Sequence, residues 1–329
     1  MKEFEHVNAT SLDEAMSFLK DENAMIIAGG TDLLTVMKNN VLSPSRLVNV
    51  KTISDLSYIK YSEDQCLKIG SLTLLNQIEK DEIIKKSFNI LAQSAGSVAT
   101  PQIRNVGTIG GNLCQKPRCW YYRNPNFQCL RKNGKMCLAV RGENRYNAII
   151  DGGPCFMVHP SDTAIALIAL NARVKILSPD NERIIPLEDF FVHPRISLAK
   201  ENVLKPFELI TEIQIPTMSP FSRGVYLKAT ERKTWDFAIV SVAFQADFDG
   251  DVVNDARIVL GGVSSTPFRV KDAEMLLKGK TIDDSLIDAV SDSAISKSKP
   301  LSGNNYKVSL AKSLIKQALT SVTKMNNVK

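Results

Sequence analysis

The chain has 329 residues, 44% of them apolar and 23% charged, and its 41 basic and 35 acidic side chains give a formal net charge of +6. That length supports two or three domains with real cores, and the composition is that of an ordinary globular protein. The mild basic excess forms no long tract, which argues against nucleic-acid binding, and no run of about 18 apolar residues exists to cross a membrane.

In chain order, Ser11-Leu12-Asp13-Glu14 has the S-x-x-E form of a capping box ahead of an amphipathic run to Lys20. Residues 24–28 are expected to form a short buried strand ended by Gly29-Gly30, followed by a helix over 31–38 and a strand over 46–50. This is a small α/β unit. A second unit opens at Leu67-Lys68-Ile69-Gly70, continues mostly helically over 73–96, and turns glycine-rich at Gly107-Thr108-Ile109-Gly110-Gly111-Asn112. Residues 113–155 show no period of 2 or 3.6 and read as an irregular insertion. Regular structure resumes with an apolar helix over 161–170 and a strand over 173–177. Strands are then expected over 208–215, 224–230, 238–248 and 255–261, and helices over 267–277, 282–296 and 306–321. Strands followed by helices indicate an α+β C-terminal domain. The domains implied are 1–60, 61–215 with the insertion at 113–156, and 216–329.

Ile27-Ala28-Gly29-Gly30-Thr31-Asp32-Leu33-Leu34 is a strand, a tight glycine turn and a helix start. Glycines admit positive φ and close approach of backbone to a ligand, and free N–H groups at such a turn suit a pyrophosphate. The G-x-G-x-x-G spacing is missing, so a plain strand-to-helix turn stays open. The second loop strengthens the ligand reading. Three glycines in five positions beside Thr108 and Asn112 exceed what a turn needs. Two such loops on separate units suggest an extended ligand held between subdomains.

Six cysteines are present, and five of them, Cys114, Cys119, Cys129, Cys137 and Cys155, fall within 42 residues with the spacing C-x4-C-x9-C-x7-C-x17-C. Without a signal peptide, metal ligation is a better reading than disulfides. No paired C-x2-C knuckle marks a zinc ribbon, while wide uneven spacing suits an iron–sulfur cluster; spacing alone leaves both open. Lys116, Arg118, Arg123, Arg131, Lys132 and Lys135 surround these cysteines. They read as counter-charges to thiolates, as a solvated basic surface, or as a docking face for an acidic partner. Trp120-Tyr121-Tyr122 is expected to shield a cluster from solvent. Cys66 reads as a core residue. His6, His159 and His193 form no metal-spacing pair, and no G-x-S-x-G or H-E-x-x-H motif occurs.

The pairing of A-G-G-T-D-L with the later N-V-G-T-I-G-G-N-L resembles the flavin subunit of the xanthine dehydrogenase and carbon monoxide dehydrogenase family, and the resemblance covers nearly the whole chain. His159-Pro160-Ser161-Asp162 is similar to the family's third flavin-contact segment. Lys228 in Tyr226-Leu227-Lys228-Ala229-Thr230 looks like its lysine near the isoalloxazine ring. Trp235-Asp236-Phe237 falls near the flavin edge by this analogy, though a strand-linking turn is the simpler reading. Gly261-Gly262-Val263 and Pro267-Phe268-Arg269 are similar to the family's C-terminal domain.

The resemblance implies a vanillyl-alcohol-oxidase-type FAD fold of two α/β subdomains plus a C-terminal α+β domain. It implies FAD held by Ile27, Ala28, Gly29, Gly30, Thr31, Asp32, Leu33 and Leu34, by Thr100, and by Gly107, Thr108, Gly110, Gly111 and Asn112, with Asp162 and Lys228 nearer the ring. The insertion resembles those of the 4-hydroxybenzoyl-CoA reductase and bacterial aldehyde oxidoreductase flavin subunits. That implies a [4Fe–4S] cluster on Cys119, Cys129, Cys137 and Cys155, with Cys114 spare and small enough to be buried as an apolar residue.

The function implied is electron transfer. A molybdopterin-binding large subunit would act on the organic substrate and a [2Fe–2S] small subunit would relay electrons. The external partner would be NAD(P), ferredoxin, a quinone or oxygen. Met1-Lys2-Glu3-Phe4-Glu5-His6 carries no apolar signal core, so a cytoplasmic location is expected unless a signal-bearing partner carries the chain outward. The alternatives are a self-contained flavin oxidase of the same fold and a zinc-stabilised, non-catalytic assembly protein.

Overall fold

A computed structural model describes residues 1–21, 23–62 and 66–325. The first unit is a three-stranded parallel sheet in the order β1 (Glu5–Asn8), β3 (Arg46–Asn49), β2 (Ala24–Ile27). Ser11 caps the helix Leu12–Phe18 by accepting from the Glu14 N–H, as the capping box predicts. That helix covers the sheet with Ala15 and Met16, which join Val48, Ile53 and Leu56 in a small core. β2 departs from expectation. All four of its residues are only half-buried, because the strand lines a large cavity and no helix packs over it there.

The second unit is a five-stranded antiparallel sheet, β4 (Ile59–Tyr61), β5 (Cys66–Gly70), β8 (Leu209–Pro216), β6 (Arg173–Leu177) and β7 (Glu182–Pro186), in that spatial order. Cys66 pairs with Pro216 and is partly exposed, so it is an edge-of-strand residue and not part of the core. The expected long helical stretch is broken into Leu75–Lys80, Glu82–Ser87 and Asn89–Gly96. Asp81 forces one break with an extended backbone and caps the next helix through the Ile84 N–H.

The C-terminal unit is an antiparallel sheet in the order β12 (Phe268–Arg269), β11 (Val252–Gly261), β10 (Val240–Asp249), β9 (Arg223–Ala229). One face packs on the helices Lys271–Leu277, Asp284–Ile295 and Tyr306–Lys324. Period-2 alternation divides the strands. Val240, Val242 and Phe244 face those helices, and Tyr226 and Ala243 face the second unit. Between the two sheets runs the helix Asp162–Ala169, every residue of which is buried. Its sequence, D-T-A-I-A-L-I-A, is apolar on all sides after the first turn, as a helix walled in on all sides must be. Among the described residues no helix is long and apolar enough to cross a membrane.

Candidate functional site: a large cavity and a cysteine pocket

A cavity of about 780 Å³ opens between the first unit and the second. Its volume is that of a ligand site. The first glycine loop forms one wall. Among the described residues, the backbone N–H groups of Gly29, Gly30, Thr31 and Asp32 donate to no protein acceptor, which leaves a row of donors for an anion. Gly30 holds φ at +69°, a conformation side chains rarely adopt. The second loop forms the facing wall and works differently from expectation. The N–H groups of Gly107, Ile109, Gly110 and Asn112 already bond to Ile103, Thr73, Ser71 and Thr108 carbonyls, and Gly111 N–H donates to Thr108 Oγ1 at 3.1 Å. Residues 109–113 are therefore a short capped helix, Ile109–Leu113, and not an open donor loop. Its glycines serve close packing. A Cβ on Gly29 would stand 2.5 Å from the Val106 carbonyl oxygen, and one on Gly110 would stand 2.9 Å from that of Ser71.

Of the residues the sequence assigned here, Ile27, Ala28, Gly29, Gly30, Thr31, Asp32 and Leu33 line the cavity, as do Gly107, Thr108, Gly110, Gly111, Asn112 and Asp162. Leu34, Thr100 and Lys228 stand behind that wall. Leu34 lies against Gly30, and Thr100 caps a short helix through the Ile103 N–H. Lys228 Nζ donates to Asp162 Oδ2 at 2.7 Å and to Ser97 O at 3.0 Å, while Tyr226 OH donates to Asp162 Oδ1 at 2.7 Å. Asp162 is thus an oriented carboxylate on the cavity wall, neutralised from the rear. Asn112 Oδ1 accepts from Ser161 Oγ at 2.5 Å and Thr163 Oγ1 at 2.7 Å, tying the second loop to the start of that helix. Trp235, Asp236 and Phe237 lie in the segment that links β9 to β10, as expected of a strand-linking turn, and also line the cavity. Trp235 sits at φ +77°, a strained backbone that nothing in its sequence announces.

The insertion makes a second, much smaller cavity of about 10 Å³. Cys119, Cys129, Cys137 and Cys155 all line it, with Tyr121, Tyr122 and Arg131. Three of these cysteines occupy the N-cap positions of short helical turns: Trp120–Arg123, Leu130–Lys132 and Leu138–Val140. Asn147 Nδ2 donates to Cys119 Sγ at 3.9 Å. Nearby backbone N–H groups favour the thiolates: those of Tyr121 and Tyr122 for Cys119, of Phe156, Ala139 and Val140 for Cys137, and of Met157 for Cys155. The Cys155 thiol donates to Cys137, which lowers the Cys137 pKa to about 6 and raises that of Cys155. Burial raises that of Cys119. Gly134 closes the turn around Cys129, since a Cβ there would stand 2.0 Å from the Gln128 carbonyl oxygen.

Among the described residues, no three His, Cys, Asp or Glu side chains are placed to hold a single metal ion. Cys114 lies on the wall of the large cavity, apart from the other four, and burial pushes its thiol up to about 12. Of the three aromatic residues expected to shield this site, Tyr121 and Tyr122 line it, whereas Trp120 is 55% exposed and sits edge-on against Tyr146.

Asp32 joins the two cavities. Its carboxylate accepts from the Lys116 backbone N–H at 2.6 Å and from Arg123 Nη2 at 2.6 Å, and pairs with Arg118 at 2.9 Å. Arg118 in turn lies 4.5 Å over the Phe237 ring.

Residues 2–218 match the family described as FAD binding domain in molybdopterin dehydrogenase. The chain belongs to that family. Residues 225–322 match the CO dehydrogenase flavoprotein C-terminal domain. The flavin subunit is 32% identical to the aldehyde oxidoreductase FAD-binding subunit PaoB of Escherichia coli strain K12, over 96% of each chain. It is 28% identical to the glyceraldehyde dehydrogenase medium chain of Sulfolobus acidocaldarius, over 97% of this chain and 98% of that one. The solved structure of carbon monoxide dehydrogenase from Hydrogenophaga pseudoflava shares the fold, with a TM-score of 0.79 at 24% identity and 98% coverage of both chains. The free N–H row of the first loop, the glycine contact between loops and the cavity volume all fit FAD.

One histidine of the chain is buried in a way that couples its protonation to stability. His159 is 4% exposed, accepts the Ser161 N–H at Nδ1 and packs edge-on against Phe191 at 4.5 Å. Burial pushes its pKa down to about 3 from an ordinary value of 6.5. The unfolded chain therefore binds this proton more readily than the folded one. Stability from the neutral imidazole is complete above pH 6.5 and is lost as pH falls through that value toward 3. Urea unfolding at pH 7, 6, 5 and 4 is expected to show His159→Asn less stable than wild type at pH 7 but with a flatter slope below 6.5. Identical slopes would exclude this role.

Proposed function

We propose that this chain is the electron-transfer subunit of a molybdenum hydroxylase, that FAD binds in the large cavity, and that Cys119, Cys129, Cys137 and Cys155 hold a [4Fe–4S] cluster. Its partners in this reading are a molybdopterin-binding large subunit and a [2Fe–2S] small subunit. FAD supplies the ability to take electrons singly from clusters and pass them on as a pair to an external acceptor such as NAD(P), ferredoxin, a quinone or oxygen. The chain's own residues do the holding. Gly29, Gly30 and Thr31 present N–H donors to the pyrophosphate, and Asp162, fixed by Tyr226 and Lys228, presents an oriented carboxylate nearer the ring. No residue of this chain is assigned acid–base work on the organic substrate, which leaves the substrate class to the large subunit.

The observation that carries the cluster is the convergence of four cysteines, far apart in sequence, on one small cavity, with backbone N–H groups that favour the thiolates of three of them. That donor set suits thiolate ligands. The cavity has room for about one water, so loading requires the thiols to move apart. A cluster spaces its ligands more widely than a single ion does, in keeping with the failure of these cysteines to meet at one point. Anaerobically purified protein, with whatever subunits co-elute, is expected to show flavin bands over a broad iron–sulfur absorption, with iron and acid-labile sulfide in equal amounts. Cys137→Ser or Cys155→Ser should lower iron and sulfide by about four each per chain, leaving any iron of a co-eluting [2Fe–2S] subunit and most of the flavin, whereas Cys114→Ser should change neither. Wild-type protein with flavin but no iron beyond that of a co-eluting [2Fe–2S] subunit would sink the cluster, and turnover of an organic substrate by the isolated chain would favour the self-contained oxidase.

A further inference from the structure

Of the eight basic side chains in the cysteine insertion, six lie between Cys114 and Cys137, and the structure separates one of these six from the rest. Lys116 pairs with Glu201, Arg118 and Arg123 pair with Asp32, Lys132 donates to the Asn124 carbonyl, and Lys135 is exposed. Arg131 alone among them lines the cysteine cavity. Its side chain is 2% exposed. One nitrogen, Nη2, pairs with Glu201, and the guanidinium lies 5.9 Å from the Tyr122 ring centroid. Its Nε and Nη1 are buried with no partner in the protein. A guanidinium cannot shed its charge, and buried donors without acceptors are costly. The rest of that cavity's lining, apart from the thiols, is uncharged: Tyr121, Tyr122, Leu130, Leu138 and Met157.

We infer that Arg131 is the fixed counter-cation of the four-cysteine cluster, its two unpaired N–H donors serving the sulfurs, and that it sets the cluster's reduction potential. This rests on the cluster reading above. A cation beside thiolate ligands makes the added electron less unfavourable, so it raises the potential. Glu201 is the positioning residue. Its carboxylate is 5% exposed and shared between Arg131 and Lys116, and Lys116 also borders the flavin cavity. It holds the guanidinium in place and offsets part of its field at the cluster.

The two residues therefore have opposite expected effects, which a merely structural role would not produce. Full-length protein purified anaerobically, with its co-eluting subunits, is titrated with dithionite and the cluster midpoint read by electron paramagnetic resonance. In Arg131→Gln the midpoint is expected to move negative by at least tenfold in the one-electron equilibrium constant, about 59 mV. Arg131→Lys keeps the charge without the planar fork and should fall between. Glu201→Gln unmasks the cation and should move the midpoint positive. Flavin content, read by absorbance after denaturation, should stay unchanged in all three. If Arg131→Gln cannot retain iron, the positive shift in Glu201→Gln decides. A wild-type protein with its cluster and unshifted midpoints in Arg131→Gln and Glu201→Gln overturns the inference and leaves the cluster standing. Wild-type protein with no iron and sulfide beyond that of a co-eluting [2Fe–2S] subunit overturns the cluster reading itself.

Discussion

Gly29→Ala is expected to yield protein that folds but comes off the column with little or no flavin. The methyl group would stand 2.5 Å from the Val106 carbonyl oxygen and 3.0 Å from Gly107 Cα, both backbone atoms that cannot swing aside. The clash falls where the two glycine loops touch, so relief requires the walls of the cavity to part. Overpacking of this kind costs about 1–3 kcal/mol, and each 1.4 kcal/mol taken from the bound state is about a tenfold loss of affinity. Gly107→Ala provides a graded comparison, because its new Cβ would meet the Ile103 oxygen at a softer 3.2 Å. Flavin-to-protein absorbance ratios should rank wild type, then Gly107→Ala, then Gly29→Ala. Equal flavin in all three would show that the loops do not grip the cofactor at their contact.

Asp32→Ala should damage both cavities at once. Removing the carboxylate strands Arg118 and Arg123, whose side chains are 27% and 12% exposed, and leaves the Lys116 N–H without its acceptor. Breaking a largely buried pair from one side costs about 3 kcal/mol or more. For a chain of this size that corresponds to a fall in melting temperature of roughly 4 °C. The expected pattern is lower flavin, lower iron and a lower melting temperature together. Asp32→Asn should be milder, since an amide keeps one acceptor for the Lys116 N–H. Loss of flavin with iron fully retained would show that the insertion stands independently of the first glycine loop.

Much of this was legible in the sequence because it depends on local rules. The capping box at Ser11, the glycine turn after β2, the alternation in β10 and the apolar helix beginning at Asp162 are dictated within a few residues by sterics, caps and periodicity. The boundaries of these elements shifted by only a residue or two. β1, β4 and β7 were not legible. They are short, and only pairing with distant neighbours makes them strands. The helix at Ile109–Leu113 was hidden for a related reason. Glycine disfavours helix, and here bonds to Ser71 and Thr73 carbonyls across the unit impose it.

The site divides the same way. The sequence alone determined which residue types were present: two glycine loops, four widely spaced cysteines, and a basic insertion. Their resemblance to a family supplied the cofactors. Only the tertiary structure decided what each one faces. Asp32 stands where a helix cap is expected, yet its side chain makes no cap bond and turns instead to two arginines some 90 residues away. Lys228 lies behind Asp162 and off the cavity wall, Cys114 faces the large cavity and not the cysteine pocket, and Arg131 alone of the insertion's basic residues lines that pocket. Local propensities act along the chain and can be read from it. Which buried charge meets which partner depends on packing between segments distant in sequence, and that is settled only when desolvation forces each one to find a counterpart.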